Sequence, residues 1–159
     1  MATKTINNAV VSTGQEFVIR RVVNAPRDRV WRAWTSADEL KQWFGPKGFT
    51  MPECKLDFWP GGLWRFVMHG PSKIDYMNRS VFVDINDPER IVFDHVSIPR
   101  YRGIVTIAEE AGQTRLTFRM IFRTAEECKK VKKYSVQANE EVFDRLEIRL
   151  AKMRSEVNS

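Results

Sequence analysis

The chain has few of the residues that build metal sites and disulfide frameworks. Its 159 residues include two cysteines and two histidines. Cys54 and Cys128 are far apart and flank no metal-ligand spacing, so they read as two reduced structural thiols; His69 and His95 are too few to complete a metal site with them. No metal and no other cofactor is expected. Long apolar runs are also missing. No stretch approaches the ~18–20 residues that a membrane span needs, and the opening Met1-Ala2-Thr3-Lys4-Thr5-Ile6 lacks the apolar core of a secretory signal. The expectation is a cytoplasmic protein with no membrane span. No Gly-rich phosphate loop and no nucleophile–base pair is visible, so the sequence leans away from an enzyme. Internal repeats, low-complexity segments and a domain linker are absent too.

What is present describes a globular domain. The chain is 43% hydrophobic and 29% charged, and long enough to bury a core without staples. Residues 1–14 are polar and aperiodic and read as a flexible tail ahead of a single domain over 15–155. The formal net charge of +6 raises the question of nucleic acid, because lysine and arginine neutralise phosphates. The charge is spread along the chain, however. Its one dense cluster, Lys129-Lys130-Val131-Lys132-Lys133, distributes around a helix as a solvated surface does. A nucleic-acid partner is not expected. The sequence does not speak to oligomeric state.

Aromatic residues are concentrated. All five tryptophans, Trp31, Trp34, Trp43, Trp59 and Trp64, fall in one short window. Tryptophan favours places where apolar space meets a polar edge, and the cluster suggests a concave aromatic site. The pattern around it alternates between periods. Phe17–Val23 is β-branched and reads as a strand. Pro26 suits a first helical position, and Val30, Trp31 and Trp34 share a face of the helix that follows. Ser36-Ala37-Asp38-Glu39 is a capping box opening a second short helix through Leu40, Trp43 and Phe44, stopped by Gly45-Pro46.

Six strands follow. They lie within Phe49–Phe58, Leu63–His69, Tyr76–Ile85, Arg90–Val96, Arg102–Ala108 and Thr114–Phe122, with turns at Pro60-Gly61-Gly62 and Glu110–Gln113. Alternation puts Trp64, Phe66 and Met68 on one face, and likewise Leu116, Phe118, Met120 and Phe122. Thr124-Ala125-Glu126-Glu127 is a second capping box. It starts a long helix to about Met153 with an apolar stripe through Val131, Tyr134 or Ser135, Ala138, Val142, Leu146 and Leu150. This order is α+β: helices segregated from an antiparallel sheet.

Several of these landmarks occur together in a known order. They are Ala25-Pro26 with Val30-Trp31, Trp34-Thr35, Trp43-Phe44-Gly45-Pro46, Pro60-Gly61-Gly62 with Trp64-Arg65, Pro88–Phe93, Thr114–Thr117, and Asp144-Arg145-Leu146. Over residues 16–153 the chain resembles the homologues of the heat-shock-protein-90 ATPase activator C-terminal domain, within the START-like, helix-grip (SRPBCC) superfamily. That resemblance implies a curved antiparallel sheet around a long C-terminal helix, with two short helices after the first strand and an elongated apolar cavity between. It implies binding of a small hydrophobic molecule of the lipid, sterol, flavonoid or polyketide kind. A chaperone-interacting module and a cyclase or hydrolase are the alternatives. The chain departs from the pattern at Glu140-Glu141-Val142, where many relatives carry Gly-Trp, which alters the cavity floor or mouth, and at Pro71-Ser72-Lys73, where relatives often carry Pro-Asp-Gly.

The expected cavity residues are Trp43 and Phe44 at the mouth, Trp64, Phe66 and Met68 on the wall, and Phe118, Met120 and Tyr134 facing the interior, Tyr134 offering a hydroxyl. Trp43 and Phe44 equally suit anchoring of the short helix, and the wall residues equally suit core packing. Trp31 and Trp34 read as packing residues. Asp94 and His95 point to opposite faces of a strand, so Asp94 is not expected to orient the imidazole. Arg65 and Arg79 read as outward charges. A ligand-binding reading requires a pocket near ~300 Å³, and an enzyme requires at least two polar groups converging inside it.

Overall fold

The computed structural model describes residues 14–158; apart from Gly14, the expected tail lies outside them. Strand β1 (Glu16–Val23) leads into helices α1 (Arg27–Thr35) and α2 (Ala37–Trp43). Six strands follow: β2 (Thr50–Leu56), β3 (Leu63–His69), β4 (Asp75–Asn86), β5 (Arg90–His95), β6 (Tyr101–Glu110) and β7 (Gln113–Ile121). Helix α3 (Ala125–Asn158) closes the chain. The strands form one antiparallel sheet in the order β1-β7-β6-β5-β4-β3-β2. A long helix on the concave side of such a sheet is the α+β helix-grip arrangement that the sequence pattern implies.

Local chemistry accounts for the element boundaries, with two adjustments. Pro26 sits one place before the first helical residue, extended at φ −70° and ψ 156°, so its fixed φ sets the approach to α1. The Ser36 hydroxyl accepts from the Glu39 amide at 3.3 Å, the first half of the capping box. The Glu39 carboxylate does not return the bond; it takes both branches of Arg149 from α3, at 2.7 and 3.0 Å. That pair ties α2 to the C-terminal helix. The Thr124 hydroxyl caps the Glu127 amide at 3.1 Å.

The alternation expected of β3 and β7 is present. Trp64, Phe66, Met68, Leu116, Phe118 and Met120 are all buried. On α3 the buried stripe runs Cys128, Val131, Ser135, Val142, Leu146, Leu150 and Met153. Ser135, rather than Tyr134, occupies the interior position, and Tyr134 is 58% exposed. Trp31 and Trp34 are buried in the core, whereas Trp59 is exposed.

Helix α3 touches the body at its flanks. Its close contacts are with β1, α1 and α2. Arg21, pointing inward from the edge strand β1, binds Glu140, Asp144 and Glu147 on successive turns of α3 at 2.6, 2.7 and 2.9 Å. These carboxylates raise the Arg21 guanidinium further above its ordinary basicity, against the opposing effect of partial burial. Arg119 on β7 pairs with Glu16 on β1, whose side chain is 1% exposed. Both Cys54 and Cys128 are free thiols. No helix among the described residues is long and apolar enough to cross a membrane.

Candidate functional site

Between the concave face of the sheet and the middle of α3 lies a cavity of about 230 Å³. Its sheet wall is built by parity: Trp64, Phe66 and Met68 from β3, Asn78 and Ser80 from β4, Phe93 and His95 from β5, Tyr101 from β6, and Phe118 and Met120 from β7. The helix contributes Tyr134, Ser135, Ala138, Asn139 and Val142. Phe44-Gly45-Pro46, the segment that ends α2, closes one side.

Aromatic edges and faces lock this wall. Phe44 meets Trp64 at 5.3 Å and Phe66 at 5.6 Å, and Trp64 meets Phe93 at 5.4 Å. Phe93 lies over Gly103, its cross-strand partner; a Cβ there would come within 2.4 Å of the ring. Gly45 is held at φ 133° with Met68 against it. The Arg145 guanidinium, on α3, donates to the carbonyls of Gly45, Pro46 and Phe49 at 2.8, 3.2 and 3.0 Å. Arg145 therefore pins the segment closing the cavity, and its own burial lowers its basicity from the ordinary arginine value.

Seven of the eight expected positions line this space: Phe44, Trp64, Phe66, Met68, Phe118, Met120 and Tyr134. Tyr134 does so from an exposed position, at the rim and not the interior. Trp43 does not line it. The Trp43 indole is fully buried behind the cavity, donating to the Ala33 carbonyl at 3.1 Å and packed on Trp34 at 4.9 Å. It anchors α2 on α1, the packing role that its place at a helix end also allowed.

The cavity has a polar end that hydrophobic patterning passed over. Trp64, Ser80, His95 and Tyr101 are successive cross-strand partners on β3, β4, β5 and β6. Directly opposed residues share a face, so three polar side chains form one transverse row beside the indole of Trp64. Ser80 is fully buried, and its hydroxyl has no hydrogen-bond partner. His95 is buried, with Nδ1 2.7 Å from the Pro99 carbonyl and Nε2 2.9 Å from Asn78 Oδ1. Both oxygens only accept, and the neutral ring has one N–H. With that proton on Nδ1 towards Pro99, Nε2 accepts from the Ser97 hydroxyl, 3.4 Å away, and the Asn78 oxygen is a close contact without a hydrogen bond. Desolvation lowers the His95 pKa below 6.5, partly offset by the bond to Pro99. Tyr101 stacks on the imidazole at 4.9 Å, and burial pushes its phenol well above the ordinary range. Asp94 lies on the other face, bound to Arg102 at 2.8 Å.

Strand parity was the available signal. Ser80 shares its face with Phe82, and His95 with Phe93, so each is a polar residue at an inward position. Their convergence depends on the register, which no local pattern states. The Ser80 hydroxyl makes no bond to His95, so these two do not form a nucleophile–base pair. Among the described residues, no group of three or more His, Cys, Asp and Glu side chains is placed to hold a metal.

The outer face of the sheet carries a second, wider depression of about 690 Å³. Lys55, Arg65 and Arg79 line it and are direct cross-strand partners on β2, β3 and β4. Arg65 and Arg79 are exposed, as their outward parity requires. Val67, Met77 and Val96 supply its apolar part.

Residues 24–151 match the family model described as activator of Hsp90 ATPase homolog 1-like protein. No curated protein sequence matches the chain. Among solved structures, a protein of Nitrosomonas europaea aligns at a TM-score of 0.83 with 22% identity, over 88% of this chain and 96% of that one. A Rhodobacter sphaeroides protein gives 0.82 and 24%, over 87% and 94%. A protein of Aeromonas hydrophila named for the same activator family gives 0.73 and 16%, over 87% and 93%. At these identities the structural likeness shows the fold.

Proposed function

The chain belongs to the activator of Hsp90 ATPase homolog 1-like family, and from that premise we propose that it binds a small apolar or aromatic molecule in the cavity between α3 and the sheet. The carrying observation is the cavity itself: an aromatic and thioether wall on the sheet side, the helix across from it, and Phe44-Gly45-Pro46 closing one side. Its volume of about 230 Å³ lies below the ~300 Å³ at which pockets for drug-sized ligands begin. A dry cavity of ~150 Å³ accepts benzene. The occupant is accordingly a compact one- or two-ring compound and not a sterol or a long-chain lipid.

A thermal-shift panel of small aromatics tests this. A compound that binds only the native state at a hundred times its Kd adds about 2.7 kcal/mol of stability. Ala138 lines the cavity from the helix side, so Ala138→Phe should abolish the shift while the variant still melts cooperatively. A shift that survives in Ala138→Phe would place the binding elsewhere.

A second reading, interaction with a chaperone, is favoured by the outer depression. Three cations opposed in register have no ion-pair partner within it, beside a Met77 side chain that is 80% exposed. Like charges directly opposite destabilise a sheet, which is offset when an acidic partner covers them. Stimulation of a chaperone's ATPase by the wild type but not by Arg65→Glu/Arg79→Glu would support it; an unchanged rate on mixing would remove it.

A further inference from the structure

We propose that Ser80 and Tyr101, on either side of His95 in one cross-strand row, form the hydrogen-bonding site for an uncharged hydroxyl or carbonyl at one end of the aromatic ligand. This rests on the cavity reading above and specifies the class of molecule that fits.

The Ser80 side chain has zero exposure, lines the cavity, and its hydroxyl makes no hydrogen bond. Burying a hydroxyl without a partner is unfavourable, and an alanine or valine of similar size at this inward strand position would avoid it. His95 is already engaged at both nitrogens, Nδ1 by the Pro99 carbonyl and Nε2 by the Ser97 hydroxyl. The imidazole stands on the strand between the two hydroxyl-bearing strands and stacks on the Tyr101 ring. The Tyr101 phenol also makes no hydrogen bond among the described residues and lines the same space. Hydroxyl groups rotate to donate or accept. The pair thus suits a ligand oxygen that can do either, and the Trp64 and Phe93 faces beside it suit a ring.

Charge decides between an alcohol or ketone and a carboxylate. No lysine or arginine lines the cavity. A carboxylate brought into this space loses its hydration without a cation to replace it. An uncharged phenol or carbonyl pays no such cost.

Equilibrium dialysis of the full chain against naphthalene, 2-naphthol and 2-naphthoate at pH 8 separates the possibilities. The expected order is 2-naphthol about tenfold tighter than naphthalene, with 2-naphthoate no tighter than naphthalene. Ser80→Ala and Tyr101→Phe should each weaken 2-naphthol about five- to tenfold and leave naphthalene unchanged. Naphthalene serves as the internal control for a folded cavity in each variant. Equal affinity of the wild type for naphthalene and 2-naphthol would overturn the polar site while leaving the cavity reading intact. Tighter binding of 2-naphthoate would overturn the uncharged assignment. Failure of all three probes would remove the cavity reading, and this proposal with it.

Discussion

At the scale of single residues, His95 and Trp43 show how position overrides residue type. His95 is a histidine placed where burial disfavours its charge. Its folded pKa lies below the ordinary 6.5, so between those two values the unfolded chain binds more protons than the folded one. Stability is then full above about pH 6.5 and falls as pH drops towards the folded value. Melting temperatures measured down the range from about pH 7.5 to 5 should decline in the wild type and decline less steeply in His95→Gln. Parallel curves would assign the loss to other groups. Trp43 looked equally suited to a cavity mouth and to a helix anchor, and packing on Trp34 decided for the anchor. Trp43→Ala should cost about 3–5 kcal/mol in urea unfolding, by leaving a void, and should also orphan the Ala33 carbonyl. Trp64→Ala should weaken binding of a small aromatic more than its stability loss explains, because Trp64 forms the wall.

At the scale of elements, buried or half-buried arginines hold the parts in place. Glu16 is almost wholly buried against Arg119 across the β1–β7 pair. Replacing Arg119 with Leu leaves a buried carboxylate without its cation and should cost about 3–5 kcal/mol; pairing it with Glu16→Val should recover most of that loss. Arg145 joins α3 to the segment after α2 through three carbonyls. Arg145→Met should destabilise by about 2–3 kcal/mol and speed amide hydrogen exchange over residues 45–49, ahead of the rest of the sheet. Unchanged exchange there would show that Gly45 and Phe44 hold the closing segment without it. The elements themselves were legible because each has a local cause: β-branched residues in β1, apolar alternation in β3 and β7, serine and threonine caps at Ser36 and Thr124, and glycine turns at Gly61 and Gly112. The arginine ties were not legible. Glu39 reads locally as the second half of a capping box, and only the approach of Arg149 redirects it.

At the scale of the whole molecule, the cavity follows from how α3 is mounted. Ties through Arg21, Arg149 and Arg145 fix the helix over Glu140–Arg149 to β1, α2 and the segment after α2, while the part of its middle from Tyr134 to Val142 stands over the curved sheet. Val142 lies at that middle and lines the space. Val142→Trp should fill it, abolishing the thermal shift given by small aromatics without lowering the melting temperature of the free protein; a retained shift would move the site elsewhere. The sequence by itself determined the element order, the α+β class, the inward faces of β3 and β7 and, through its motif order, the family. Those depend on period, caps and turns, all local in the chain. Tertiary structure alone decided which aromatics border empty space and that Ser80, His95 and Tyr101 stand in one row. Register across four strands and the stand-off of a helix are set by the sum of distant contacts. A residue's neighbours along the chain do not carry that information.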